Sequence, residues 1–250
     1  MSLLEKVKQF LNNNRDLLNN YDFKTLYSST KLVNEELGLM TNILLKAGLN
    51  PLQYLDHVPY AYLYGQTDVT NIDIPNNITY IDLYAFASCT NLKSITIPSS
   101  VEHIDAGVFS GCKSLTKIII PNSVTFIGDE AFSGCLSLTN IDISNSVAAI
   151  SDDMFNDCRS LKSITIPDSV TSIGNYAFEY CIELTDVTIN GDIEKIGYGV
   201  FSHCNKLLKI NYDGTKEQWQ YIDKDPGWFI KSKIEEINCI DGTIKLRDTY

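Results

Sequence analysis

A chain of 250 residues, 44% of them hydrophobic, carries enough apolar mass for one extended or two compact domains, which excludes a disordered chain. Its formal net charge of −11 repels phosphate backbones, and no segment gathers the Lys and Arg of a nucleic-acid groove, so nucleic acid is not an expected partner. No stretch approaches the roughly 18 apolar residues of a membrane span, and residues 1–10 interrupt their apolar positions with charges, unlike a secretory signal.

Residues 1–68 read as a helical N-terminal cap. Ser2 and Glu5 form an S-x-x-E capping box ahead of an apolar face of Leu3, Leu4, Val7, Phe10, Leu11, Leu17 and Leu18, predicting one helix that ends at the Asn19-Asn20 turn. A second helix is predicted from about Thr30 to Ala47, stopped by Gly48, and Asn50-Pro51 opens a short third. Residues 58–68, beginning Val58-Pro59-Tyr60, read as a degenerate half repeat that grades into the full coils.

Residues 69–212 repeat themselves. Cys89, Cys112, Cys135, Cys158, Cys181 and Cys204 stand at one interval of 23 residues, and Phe86, Phe109, Phe132, Phe155, Phe178 and Phe201 keep the same register. Disulfide frameworks and zinc sites cluster cysteines in pairs such as C-x-x-C, so an even ladder is a structural period. In the coil that starts at Leu115, L-x-x-I-x-I alternates as a strand does and Pro121 ends it. The run V-x-x-I-G then sends Val124 and Ile127 inward and bends at Gly128, and A-F-x-x-C places Ala131, Phe132 and Cys135 at helical-turn spacing. Burying about eight apolar side chains gains about 1.5–3 kcal/mol each, against on the order of 1–2 kcal/mol for each backbone residue ordered. One coil cannot stand alone, so stability lies between coils and both ends need covers. The predicted fold is a repeat solenoid of about seven 23-residue coils with a parallel β-sheet on one face.

Residues 213–250 read as a C-terminal cap. Thr215-x-x-Gln218 is a capping box for a short helix carrying Trp219, Trp228-Phe229 adds apolar bulk, and Ile237 to Ile244 reads as a hairpin whose Asp241-Gly242 pair suits a type I′ turn. Covering the last coil is the expected role of this segment, with binding through Trp219 or Trp228 as the alternative.

The I-x-I-P, V-x-x-I-G, A-F-x-x-C and L positions over residues 69 to 212 resemble the BspA-like, or Treponema pallidum-type, leucine-rich repeat family. The tail, with its Y-x-G-T…W…I-x-C-x-D-G-x-I order, is similar to the terminal segment of many members. The resemblance implies a leucine-rich repeat fold without a catalytic centre, and a binding or surface-interaction role in bacteria, protists or phages. Departures are modest: Ser144 and Asn190 replace Pro, Asp82, Asp105 and Ser151 replace Gly, and Met154 replaces Ala.

Candidate chemistry is sparse. The Cys ladder reads as buried thiols acting as small hydrophobes rather than a metal or redox site, and six unpaired thiols favour a reducing environment. His57, His103 and His203 are the only histidines; the last two are expected to face solvent, and no nucleophile motif accompanies them. Acidic pairs at Asp129-Glu130 and Asp152-Asp153 match no calcium-loop spacing. The chain is therefore read as a non-enzyme, with no cofactor and no assigned oligomeric state.

Surfaces remain. Outward strand positions form two columns, Asn71, Ser94, Lys117, Asn140, Ser163 and Asp186 beside Asp73, Thr96, Ile119, Asp142, Thr165 and Thr188. Tyr80, His103 and Phe126 occupy one outward position in three successive coils, which is hot-spot material. The expected partner is another protein bound through these residues; a structural or attachment component of a phage or bacterial surface, recognising glycan, is the alternative. The expected location is cytoplasmic or virion-associated if the sequence is complete, and cell-surface or secreted if a signal peptide was removed.

Overall fold

A computed structural model describes residues 1–20, 22–29 and 32–246. The L-x-x-I-x-I runs form strands that pair in parallel at a 23-residue interval within residues 71–142 and again within 163–212, as in Ile72 with Ile95, Ile118 with Ile141 and Ile164 with Val187. Because the register equals the period, each inward Ile lands on an inward apolar residue of the next coil, most often another Ile. This first ladder runs from Asn71–Asp73 to Glu236–Cys239.

The V-x-x-I-G run makes a second parallel ladder of two-residue strands, from His57–Val58 through Tyr80–Ile81, His103–Ile104 and Phe126–Ile127 to Asp223–Lys224. Two residues are too few to show an alternation of their own, so the run read only as a bend. Its Gly is a close-approach residue: a Cβ on Gly128 would lie 2.5 Å from the Ala106 nitrogen of the preceding coil. The A-F-x-x-C run forms tight turns in place of a helical turn. Residues before the Ala and before the Cys take left-handed backbone, such as Glu130 (φ 57°) and Gly134 (φ 69°). Alternate amides reach the next coil, as Tyr84 N–H to Ala106 O at 3.1 Å and Phe86 N–H to Val108 O at 3.0 Å.

Eight rungs are present on each ladder among the described residues, against the seven expected. The extra rungs come from His57–Val58 in the cap and from the tail, whose Asp223–Lys224 pairs in parallel with Lys195–Ile196 and whose Glu236–Cys239 pairs with Lys209–Tyr212. The first ladder is interrupted between Asn140–Asp142 and Ser163–Ile166, and the second between Phe126–Ile127 and Ala149–Ile150. At the second break the Ser151 hydroxyl donates to the Ile127 carbonyl, which in the neighbouring coils is the place taken by the Gly N–H, as Gly128 to Ile104 and Gly174 to Ile150. The side chain competes with the ladder for its acceptor.

Inside, the Phe rings stack from Phe86 to Phe201 with centroids 5.3–5.6 Å apart and interplanar angles of 5–16°. The six repeat cysteines are buried and free, and each thiol donates to a Phe or Leu carbonyl of the preceding coil, such as Cys112 to Phe86 at 3.2 Å. They are weak donors as well as small hydrophobes.

At the N terminus the expected single helix is broken. α1 (Leu3–Asn13) ends at Asn14, whose side-chain amide folds back on the Phe10 carbonyl, and α2 (Arg15–Asn19) follows; Leu3 and Leu4 are exposed. α3 (Phe23–Ser29) was not expected. α4 (Asn34–Lys46) starts later than read; Thr30 lies outside the described residues. Gly48, at φ 80°, closes α4 with the Gly48 N–H on Leu45 and the Leu49 N–H on Leu44, a Schellman motif. A 3₁₀ turn, Pro51–Tyr54, leads into the first rung. α4 docks through Gly38, where a Cβ would lie 2.3 Å from the Tyr64 carbonyl oxygen.

At the other end, α5 (Lys216–Tyr221) has the expected Thr215–Gln218 capping box. The hairpin turns one residue earlier than read: Cys239 faces Gly242, so Ile240-Asp241 form the turn and Gly242, at φ 131°, starts the return strand. Ile240 and Asp241 do not adopt positive φ, so the turn is not type I′. Lys224 donates to the Ile222 carbonyl at 2.7 Å and to that of Trp219 in α5, which covers the open end of this short helix.

Candidate functional site

The second ladder holds the most organised surface feature. Because its register equals the period, Tyr80, His103 and Phe126 stand on adjacent rungs, and their rings stack at 4.7 Å (23°) and 4.4 Å (17°). Tyr80 donates to the Asp105 carboxylate; burial and that carboxylate push its phenol well above the usual range. Tyr80 and His103 are half-buried, and Phe126 is 45% exposed. His57, paired with Tyr80 in register, heads the column and bonds Asp56 at 2.7 Å. The signal for it was present in the sequence, since His57 precedes Tyr80 by one period. Next to it lies a depression of about 420 Å³ lined mainly by apolar groups, among them Tyr27, Leu37, Leu55, Pro59 and Tyr60.

The first-ladder columns are exposed except Thr188, which is half-buried. A depression of about 480 Å³ brings Lys117, Asn140, Asp142, Ser163 and Thr165 together. Asn71, Asp73, Ser94, Thr96, Ile119, Asp186 and Thr188 lie outside it, and Tyr80, His103 and Phe126 belong to the other ladder. The candidates therefore divide between two surfaces.

His103 and His203 do not simply face solvent: both are half-buried by stacking, His203 against Tyr180 at 4.3 Å and 6°. Left-handed backbone at Tyr180 and His203 sets the two rings parallel on adjacent rungs, and Tyr176 meets Tyr198 edge-on at 5.4 Å. Trp219 and Trp228 are both buried, so the reading that they bind a partner does not hold. Along the corner after the second ladder, Asp152 N–H donates to Asp129 at 3.2 Å and Asn175 N–H to Asp152 at 2.7 Å. Among the described residues no three His, Cys, Asp or Glu side chains are grouped to hold a metal ion, and no helix is long and apolar enough to cross a membrane.

Six copies of the repeat described as the BspA type leucine rich repeat region match residues 58–181 and 125–249. This chain belongs to the BspA-type leucine-rich repeat family. The BspA-type coils align with a leucine rich cell surface protein from Faecalibacterium prausnitzii at 27% identity and a TM-score of 0.55, covering 69% of this chain and 61% of that one. A leucine-rich repeat protein of T. pallidum is 32% identical, with a TM-score of 0.57 over 64% of this chain and 73% of that one. A leucine-rich repeat protein from Eubacterium ventriosum shares the fold, with a TM-score of 0.61 and 24% identity over 72% of this chain and 49% of that one. The BspA-type chain thus spans about 61% of the F. prausnitzii protein's length. No curated protein matches it. Its family and solenoid fold are typically non-enzymatic.

Proposed function

We propose that this chain is a non-enzymatic binding module whose target is another protein, held by the outward faces of the solenoid. The observation that carries this reading is the stacked column Tyr80, His103 and Phe126, headed by His57 on the preceding rung, which sits on hydrogen-bonded rungs beside an apolar depression. Rings fixed by their neighbours lose little rotamer freedom on binding, and partly exposed aromatics on a rigid frame concentrate binding energy. The first-ladder columns, from Asn71 and Asp73 to Asp186 and Thr188, form a second, polar surface on which a partner's hydrogen bonds would be met.

The test is hydrogen exchange and pull-down from the source cell with three proteins: the wild type, a His57→Ala/Tyr80→Ala variant and an Asn140→Ala/Asp142→Ala variant. The aromatic variant is expected to lose at least ten-fold in capture of one specific protein while keeping its melting temperature within a few degrees. Equal capture by the wild type and both variants would remove the solenoid faces as the binding surface. A surface-attachment role is the second reading, favoured by the similarity to the F. prausnitzii cell surface protein.

A further inference from the structure

We infer that Asn190 is a spontaneous deamidation site, whose side chain closes on the Gly191 nitrogen and opens again as aspartate or isoaspartate without an enzyme. Asn190-Gly191 is the only Asn-Gly pair in the chain. Asn190 follows the strand Asp186–Ile189 and stands where Pro75, Pro98, Pro121 and Pro167 end their strands. Proline has no N–H to give, whereas Asn190 donates its own to the Ile166 carbonyl at 3.0 Å. The departure from Pro therefore adds one ladder bond and, with it, a reactive amide.

The fold holds both reacting groups ready. Gly191 takes left-handed backbone at φ 76°, and a Cβ there would lie 2.8 Å from the Cα and the carbonyl oxygen of Asp168 in the preceding coil. Packing thus requires a residue without a side chain after Asn190, and nothing screens the nitrogen that attacks. Among the described residues neither the Gly191 N–H nor the Asn190 side-chain amide makes a hydrogen bond. Other asparagines are tied down. The Asn77 amide donates to the Leu52 and Leu55 carbonyls, and in Asn145-Ser146 the Ser146 N–H is engaged by the Ser144 hydroxyl at 3.1 Å.

The chemistry needs only water. The Gly191 nitrogen adds to Cγ of Asn190, the new C–N bond closes a cyclic imide, and the Cγ–Nδ2 bond breaks as ammonia leaves with the Gly191 amide proton. Water then opens the imide at either carbonyl, which gives aspartate or, with the backbone rerouted through the side chain, isoaspartate. Asn190 lines the first-ladder depression together with Asp142 and Asp168. Either product adds a carboxylate there that is ionised at neutral pH, so an aged chain presents a more negative polar face than a fresh one. Isoaspartate also inserts a methylene into the backbone where Gly191 packs on Asp168. No partner takes part, so the site stands or falls separately from the protein-binding reading.

Peptide mapping by mass spectrometry of the folded full chain, aged in mildly alkaline buffer made with heavy-oxygen water, tests the assignment. The peptide holding residue 190 is expected to exchange its amide nitrogen for one heavy oxygen and to separate into aspartate and isoaspartate forms. Its conversion is expected to run at least ten-fold faster than that at Asn122-Ser123 or Asn145-Ser146 in the same sample. Asn190→Gln is expected to remove both this conversion and the later-eluting species that ageing produces on anion exchange. Conversion at residue 190 no faster than at Asn122 or Asn145 would overturn the inference, as would a product without isoaspartate, or conversion seen only after urea unfolds the chain.

Discussion

Trp228 meets Phe201, the last ring of the internal stack, edge-on, with centroids 6.1 Å apart and planes at 79°. The other end is closed in the same way, Tyr62 meeting Phe86 at 6.2 Å and 88°. An edge-on ring places its positive rim on the negative face beneath it and offers no parallel face for another coil, so both covers end the stack as well as bury it.

Contacts in a solenoid join neighbours only, so the two ends of the stack should fail differently from its middle. Phe132→Ala is expected to cost about 3–5 kcal/mol in urea unfolding. Trp228→Ala removes as large a side chain, yet its main effect is expected to be faster amide exchange over the last two coils, with residues 80–150 still protected. Uniform loss of protection in Trp228→Ala would refute nearest-neighbour coupling.

The thiol column predicts an alkaline limit. Burial pushes Cys158 up to about 12 from an ordinary value of 9.0, holds Cys89 and Cys204 at about 12, and raises Cys112, Cys135 and Cys181 well above 9. The folded chain keeps protons that the unfolded chain releases. This contribution is complete below pH 9 and is lost as pH rises toward 12, at up to about 1.4 kcal/mol per pH unit for each thiol. Unfolding free energies should fall steeply between pH 8.5 and 10, and less steeply in Cys135→Ala. Under native conditions a thiol reagent should label Cys239, which is only half-buried, and leave the other six unmodified until the chain unfolds.

Gly38 predicts a substitution that improves a helix and harms the protein. Ala is about 1 kcal/mol better than Gly inside a helix, but its Cβ would lie 2.3 Å from the Tyr64 carbonyl oxygen and 2.8 Å from the Tyr64 nitrogen, backbone atoms that cannot rotate away. Gly38→Ala is expected to lower the melting temperature and to speed exchange in α4 and the first rung. A higher melting temperature would show that α4 does not dock there.

Ser151→Gly should restore the ladder bond to Ile127. The hydrogen bond gained is worth about 0.5–1.5 kcal/mol, and the backbone freedom that Gly adds to the unfolded chain removes roughly 0.5–1 kcal/mol, so overall stability should change little. Local protection should change much more: amides 149–151 are expected to exchange about ten-fold more slowly. Unchanged exchange would mean that the hydroxyl is not what opens the rung.

Legibility followed the period. Wherever 23-residue spacing held, the inward positions could be assigned: Phe86 to Phe201 and Cys89 to Cys204 are all buried. Where the period was broken, rungs went unseen. Asp223–Lys224 and Glu236–Cys239 follow a short helix that shifts their spacing, and His57–Val58 precedes a half coil with only a fragment of the pattern. Of the candidate surface, the adjacency of Tyr80, His103 and Phe126 could be counted out on the repeat. Their stacking depends on ring orientations that no spacing encodes.

The amino-acid order alone determined the coil, its inward residues and the need for two caps, because a fixed interval of apolar groups has one way to form a continuous interior. Only the tertiary structure decided the second ladder, the interruption at Ser151, the docking of α4 on Gly38 and the separation of the candidate residues onto two surfaces. Each of these depends on which backbone atoms of one coil reach which atoms of the next, a relationship across 23 residues or more that local propensity does not carry.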